Sequence, residues 1–222
     1  MQAEAIKFGL PVSLHIIFSL AVTAVVFLVA YILGRKATSG VPSGAQNFGE
    51  AIVEFLADQV EPEVGEELTP TILPWLGALF IYILIANWLG LLPFSRQPTA
   101  DISTTAGLAV TAVIGVVVLN IRVNGLKRAG KQYLKPVVWF FIFLIPLAII
   151  DNLARMLSLC LRLFGNIAGE HMVFEKLSAN VPYFLPMILL ALGLLIGLIQ
   201  AIVFTYLNLF YIVEDLGLQE EN

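Results

Sequence analysis

Apolar residues run almost unbroken over about 10–33, 71–92, 104–121, 136–178 and 181–213, with polar stretches between them. A helix needs about 20 apolar residues to cross the hydrocarbon of a bilayer, so the pattern predicts five membrane-spanning helices. The first ends at Gly34-Arg35-Lys36, and Trp75 and Trp88 sit near the ends of the second as interfacial anchors. The third is followed by a basic loop, Arg122 to Lys131. The last two runs are long. At the helical rise they would measure about 64 Å and about 50 Å, against a hydrocarbon layer of about 30 Å. Both must tilt strongly, bend (Pro146 is the obvious place) or project beyond the bilayer, which predicts a long slanted hairpin. Between the first two spans, about 46–60 has a different period. Phe48, Ile52, Phe55 and Leu56 share one helical face, while Glu50, Glu54 and Asp58 mostly lie off it. That is an amphipathic surface helix, followed by a solvated acidic stretch, Glu61 to Glu67. The fold class expected is all-α and polytopic, with residues 1–222 forming a single integral-membrane domain.

Composition strengthens the membrane reading. The 222 residues are 59% hydrophobic and 13% charged, whereas soluble domains are about 45–50% apolar and about 25% charged. The first apolar run is too long for a signal-peptide core and lacks a basic leader. Charge is segregated, so the net −4 says little about partners. Arg35, Lys36, Arg122, Lys127, Arg128, Lys131 and Lys135 fall on one side of the predicted topology; Lys7, Arg96 and Lys176 fall on the other. The positive-inside rule then places the amino terminus outside and the carboxyl terminus in the cytoplasm. The single cysteine, Cys160, excludes an internal disulfide and matches no metal-site spacing. Phosphate loops, ligand clusters and nucleophile elbows are absent from the sequence, so no cofactor, metal, nucleic-acid partner or active site of its own is expected.

One residue resists a structural explanation. Arg162 lies in Ser-Leu-Cys-Leu-Arg-Leu-Phe-Gly-Asn, far from either end of its apolar run. A guanidinium at such depth costs about 2.5–3.5 kcal/mol on insertion scales and cannot escape by losing its proton. Intramembrane charges of this kind mark ion or proton pathways. At about 100° per residue, Asp151, Arg155, Arg162, Asn166 and Glu170 fall within an arc of about 100°. Asp151 and Arg155 are one turn apart and read as a structural pair. Asn166 can equally hold a neighbouring helix, and Glu170 and the adjacent His171 can equally be a solvated helix end. On the fifth run, Gly193, Gly197, Gln200, Phe204 and Tyr211 share a side. The glycines permit close helix approach, and Gln200 is a mid-depth polar group whose economical partner is Arg162. Asn87 and Asp101 fall near the outer ends of the second and third spans, where an aqueous vestibule can open. Asp101, followed by Ser103 and Thr104, is also a good helix N-cap.

At these residues the chain resembles a known family. Leu161-Arg162-Leu163-Phe164-Gly165-Asn166 with Gly169-Glu170, Asn87 with Gly90-Leu-Leu-Pro93, Pro98-Thr-Ala-Asp101, and Gly197-Leu-Ile-Gln200 resemble, in order and spacing, subunit a of F-type ATP synthases. Val41 to Phe48 is most similar to bacterial and chloroplast members. The resemblance implies a stator subunit of the membrane (Fo) sector, supplying two ion half-channels beside a rotating ring of c subunits and joined to the peripheral-stalk b subunits. It implies that Arg162 is the essential charge facing the ring carboxylates. Glu170, Gln200, Asn166, Asn87 and Asp101 then match positions along the ion path. The resemblance further implies a proton, or sodium, as the transported ion, and the bacterial plasma membrane is expected rather than the thylakoid. Gly90 and Gly193 stand where some bacterial members carry an acidic residue and a histidine, so His171 is offered as a substitute. The competing reading is a self-contained secondary transporter or channel, which would show internal repeats; none is evident. A pure scaffold leaves Arg162 unexplained.

Overall fold

The computed structural model describes residues 14–36, 44–90, 98–132, 141–178 and 185–218; within these, the side chains at 14–16, 29–30, 32–36, 45, 48, 127–132, 141–149, 171, 174–175, 177–178 and 185–186 are left undescribed. All of the regular structure described is helical: α1 Leu14–Lys36, α2 Gly44–Val64, α3 Thr69–Leu89, a single 3-10 turn Pro98–Ala100, α4 Ile102–Gln132, α5 Phe141–Ser178 and α6 Leu185–Leu216. Among the described residues, three helices are long and apolar enough to cross a membrane: Thr69–Leu89, Ile102–Leu126 and Met187–Leu216. A shorter apolar stretch, Ile17–Leu28, lies in α1. The chain is a helical membrane protein.

The centre of the molecule is α3. Ile72, Leu76, Leu79, Phe80 and Ile83 recur at helical spacing and are buried. They meet Ala201, Phe204, Leu209, Ile212 and Val213 of α6, Ala109, Ala112, Val116 and Leu119 of α4, and Leu56, Val60 and Val64 of α2. Helices in lipid have little hydrophobic drive to associate, so close packing and small residues carry the contact. Gly115 of α4 shows this: a β-carbon there would lie 1.9 Å from Cζ2 of Trp75 on α3. The Trp75 indole N–H in turn donates to Asn208 Oδ1 on α6 at 3.2 Å. Three helices therefore meet at one tryptophan.

Two boundaries differ from the sequence expectation. The basic stretch after the third span is helical to Gln132, and the break sits inside it at Gly125, with φ 76° and ψ 153°. Side chains rarely adopt that conformation, whereas glycine enters it freely. The amphipathic segment is α2, and its inward stripe is Ile52, Leu56, Val60 and Val64 rather than a face containing Phe55, which is exposed. The stripe docks on α3 and α6, and Tyr206 Oη of α6 donates to Gln59 Oε1 of α2. Phe48, the other expected member of that face, has an undescribed side chain. Pro146 falls within the continuous helix α5.

Candidate functional site

Arg162 is placed by the packing of α5. Leu159, Leu163 and Ile167, one turn apart, are buried in the core. Arg162 precedes Leu163 by about 100° of rotation, which turns it onto the outer face. There it is exposed, on the same side of α5 as the exposed Ser158 and Asn166. Gly165 and Gly169 continue that face, and a β-carbon on either would meet no other atom within 4 Å. Among the described residues no carboxylate lies within ion-pair distance of Arg162. The result is a fixed cation on an exposed face of small residues, Ser158, Gly165 and Gly169.

One turn along, Asn166 Nδ2 donates to Gln200 Oε1 on α6 at 3.1 Å. The expected Gln200–Arg162 bond is therefore replaced by an Asn166–Gln200 bond. The wheel angles alone left open which polar group of α5 faces α6. Gln200 is 5% exposed, and its Nε2 is a buried donor with no partner among the described residues. Glu170, one turn beyond Asn166, is half-buried on the same face. His171 lies on α5, but its side chain is outside the described residues.

Asn87 and Asp101 are drawn into the packing. Asn87 is 3% exposed; its Nδ2 donates to the Gly197 carbonyl at 3.3 Å, and its Oδ1 accepts from Thr99 Oγ1 at 3.0 Å. The neighbouring Trp88 Nε1–H donates to the Leu194 carbonyl at 3.1 Å. These contacts bind α3 and the 3-10 turn to α6, where Gly197 keeps the helices close. Asp101 Oδ1 accepts from the Ser103 backbone N–H at 2.7 Å, the N-cap arrangement at the start of α4. Behind them, a cavity of about 520 Å³ lies between α1, α3 and α4. Its hydroxyls come from Ser19, Thr23, Tyr82, Ser103, Thr104 and Thr111, and Ser19 and Tyr82 hydrogen-bond at 2.6 Å.

A second charged centre was only half visible in the sequence. Arg155 does pair with Asp151, at 2.7 Å, but it also reaches Glu214 at 3.0 Å and Asp215 at 3.1 Å on α6. Its guanidinium carbon stands 4.8 Å from the Tyr211 ring centroid. Asp215, near the end of α6, is buried. Its partner is 60 positions away in the chain, so no local pattern announces it.

The fold is that of a polytopic helical membrane protein with Arg162 exposed on its outside. Residues 16–213 match the family model described as ATP synthase A chain. Relatives include ATP synthase subunit a of Moorella thermoacetica, 39% identical over 188 residues, covering 85% of this chain and 84% of the relative. The subunit a of Syntrophobacter fumaroxidans is 39% identical over 193 residues, covering 85% and 80%. The chloroplastic subunit a of Oedogonium cardiacum is 37% identical over 195 residues, covering 83% and 75%. The chain belongs to the ATP synthase subunit a family.

Proposed function

We propose that this chain is the stator subunit of an Fo proton channel in which Arg162 is the fixed charge that a rotating ring of c subunits passes. Five membrane spans, with α5 and α6 as a tilted hairpin against the ring, fit helices of 38 and 32 residues. Such helices are about 57 Å and about 48 Å long. The observation that carries the reading is that Arg162 is exposed on the outside of an apolar helix bundle with no carboxylate in ion-pair distance among the described residues. In lipid that arrangement is costly, and a carboxylate on a neighbouring chain removes the cost.

The chemistry follows from charge. A protonated ring carboxyl is neutral and rotates through lipid. An opposite charge within about 4–6 Å favours its ionised form, so beside Arg162 the carboxyl releases its proton to one half-channel and reloads from the other. The fixed cation also repels a proton that would pass directly between the half-channels. Each charge crossing 100 mV supplies about 2.3 kcal/mol, and rotation accumulates several such steps for each ATP made elsewhere in the complex. Asn166, Gln200 and Glu170 line the outer path near the ring. The cavity between α1, α3 and α4 brings the hydroxyls of Ser19, Thr23, Tyr82, Ser103, Thr104 and Thr111 to a largely apolar wall, while Asn87 and Asp101 hold the surrounding helices in place. The ring, the b subunits and lipid are the partners, the proton (or sodium) is the cargo, and the bacterial plasma membrane is the location. The 222 residues act as one integral-membrane domain, and His171 stands in for the histidine that Gly193 lacks.

The strip of α5 tests the reading. Leu161→Cys should form a disulfide with a cysteine placed beside the ring carboxylate, whereas Leu163→Cys, buried in the core, should not. A cross-link from position 163, or none from 161, contradicts the ring-facing assignment.

A further inference from the structure

Two arginines share one face of α5 but have opposite surroundings. Arg162 is exposed. The Arg155 side chain, seven residues earlier, is 11% exposed and held by three carboxylates and a ring. We propose that Arg155 is a positioning residue: it clamps α5 to the end of α6 and so sets where Arg162 stands. The proposal rests on the function proposed above.

The geometry supports a clamp in four ways. First, Arg155 joins two helices rather than one, because Glu214 and Asp215 belong to α6 while Asp151 belongs to α5. Second, its two terminal nitrogens divide the work: one meets Asp215, and the other meets Asp151 and Glu214. The planar guanidinium fork can do this while stacking on Tyr211, and a lysine ammonium cannot. Third, the Asp215 side chain is only 9% exposed. Breaking a buried ion pair is strongly unfavourable, so the clamp resists opening. Fourth, Arg155–Asp215 is matched by a second tie, Asn166–Gln200, at the other side of Arg162.

The two ties lie on either side of Arg162 along α5. Arg162 stands about 10 Å from the first tie and about 6 Å from the second along α5. Helix α5 therefore cannot rotate or slide against α6 at the level of Arg162 unless one tie breaks. The two ties differ in kind. Asn166–Gln200 is a single neutral bond, while the Arg155 centre is charged and multidentate, and such bonds are roughly twice as strong. The stronger tie sits on the side that the positive-inside rule assigns to the cytoplasm.

The test uses membranes carrying the complete ATP synthase in a Cys160→Ser background. Arg155→Gln is expected to leave Arg162 chemically intact, yet to lower protons pumped per ATP hydrolysed by about tenfold or more, since a misplacement of about 1 Å can cost about a hundredfold. Arg155→Lys, which keeps the charge and guards against loss of assembly, is expected to lower the same ratio severalfold at parental complex content. Bridging Arg155→Cys to Asp215→Cys with a reducible bis-methanethiosulfonate should restore the ratio, and reductant should abolish the restoration. A merely structural role at the helix end would not give a gain that follows the bridge. Parental pumping by both Arg155→Gln and Arg155→Lys overturns the clamp, as does a bridge that forms without recovery. Arg162→Ala separates the two proposals. If it pumps normally, the ring-facing role fails; if it is inactive while the Arg155 variants pump normally, only the clamp fails.

Discussion

Arg162 and Arg155 show how much the surroundings of a charge decide its use. Both lie on one arc of α5 in the sequence, and both are permanently cationic. Arg155 is satisfied inside the chain by Asp151, Glu214 and Asp215. Arg162 has no carboxylate of this chain within ion-pair distance among the described residues, so its electrostatic work is available to a neighbour. The shape of that work matters as well as its sign. Arg162→Lys keeps a positive charge but replaces a rigid planar fork by a flexible, strongly hydrated point charge. It is expected to cut ATP-driven pumping at least about tenfold, the factor that about 1.4 kcal/mol represents, with the complex still assembled. Proton uptake by inverted vesicles, normalised to complex content, is the measurement, and parental uptake would argue that any cation suffices.

At the scale of helices, much was legible in the sequence. The apolar runs overlap the described helices α1, α3 and α6, because apolar segments of this length favour helices. The ends were harder. α4 continues to Gln132 because a basic stretch after a span can remain helical, and only Gly125 marks its break. α6 absorbs Glu214 and Asp215 because Arg155 compensates them from another helix. The wheel placed Gln200 and Asn166 on facing sides, but the rotation between α5 and α6 decides which pair bonds, and that is a tertiary property. Trp75 is similar: it reads as an interfacial anchor, yet it is a wedge between α3, α4 and α6. Gly115→Ala would drive a β-carbon into its ring. The tryptophan would have to leave, breaking its bond to Asn208. Overpacking of this kind costs about 1–3 kcal/mol. A lower unfolding temperature of the detergent-solubilised complex is expected, and an unchanged one would mean the junction is loose.

At the scale of the whole molecule, the helices form a packed scaffold with Arg162 at its edge. The core around α3 turns Leu159, Leu163 and Ile167 inward and thereby turns Arg162 outward. The Arg155 centre and the Asn166–Gln200 bond hold the helix that carries it. The central claim is that Arg162 is the charge past which ring carboxylates must move. Its most direct measure is ATP-driven proton pumping by the complete synthase carrying Arg162→Ala, in inverted membrane vesicles at matched complex content. Loss of coupled pumping with the complex intact is the result predicted; pumping at the parental rate would contradict the account.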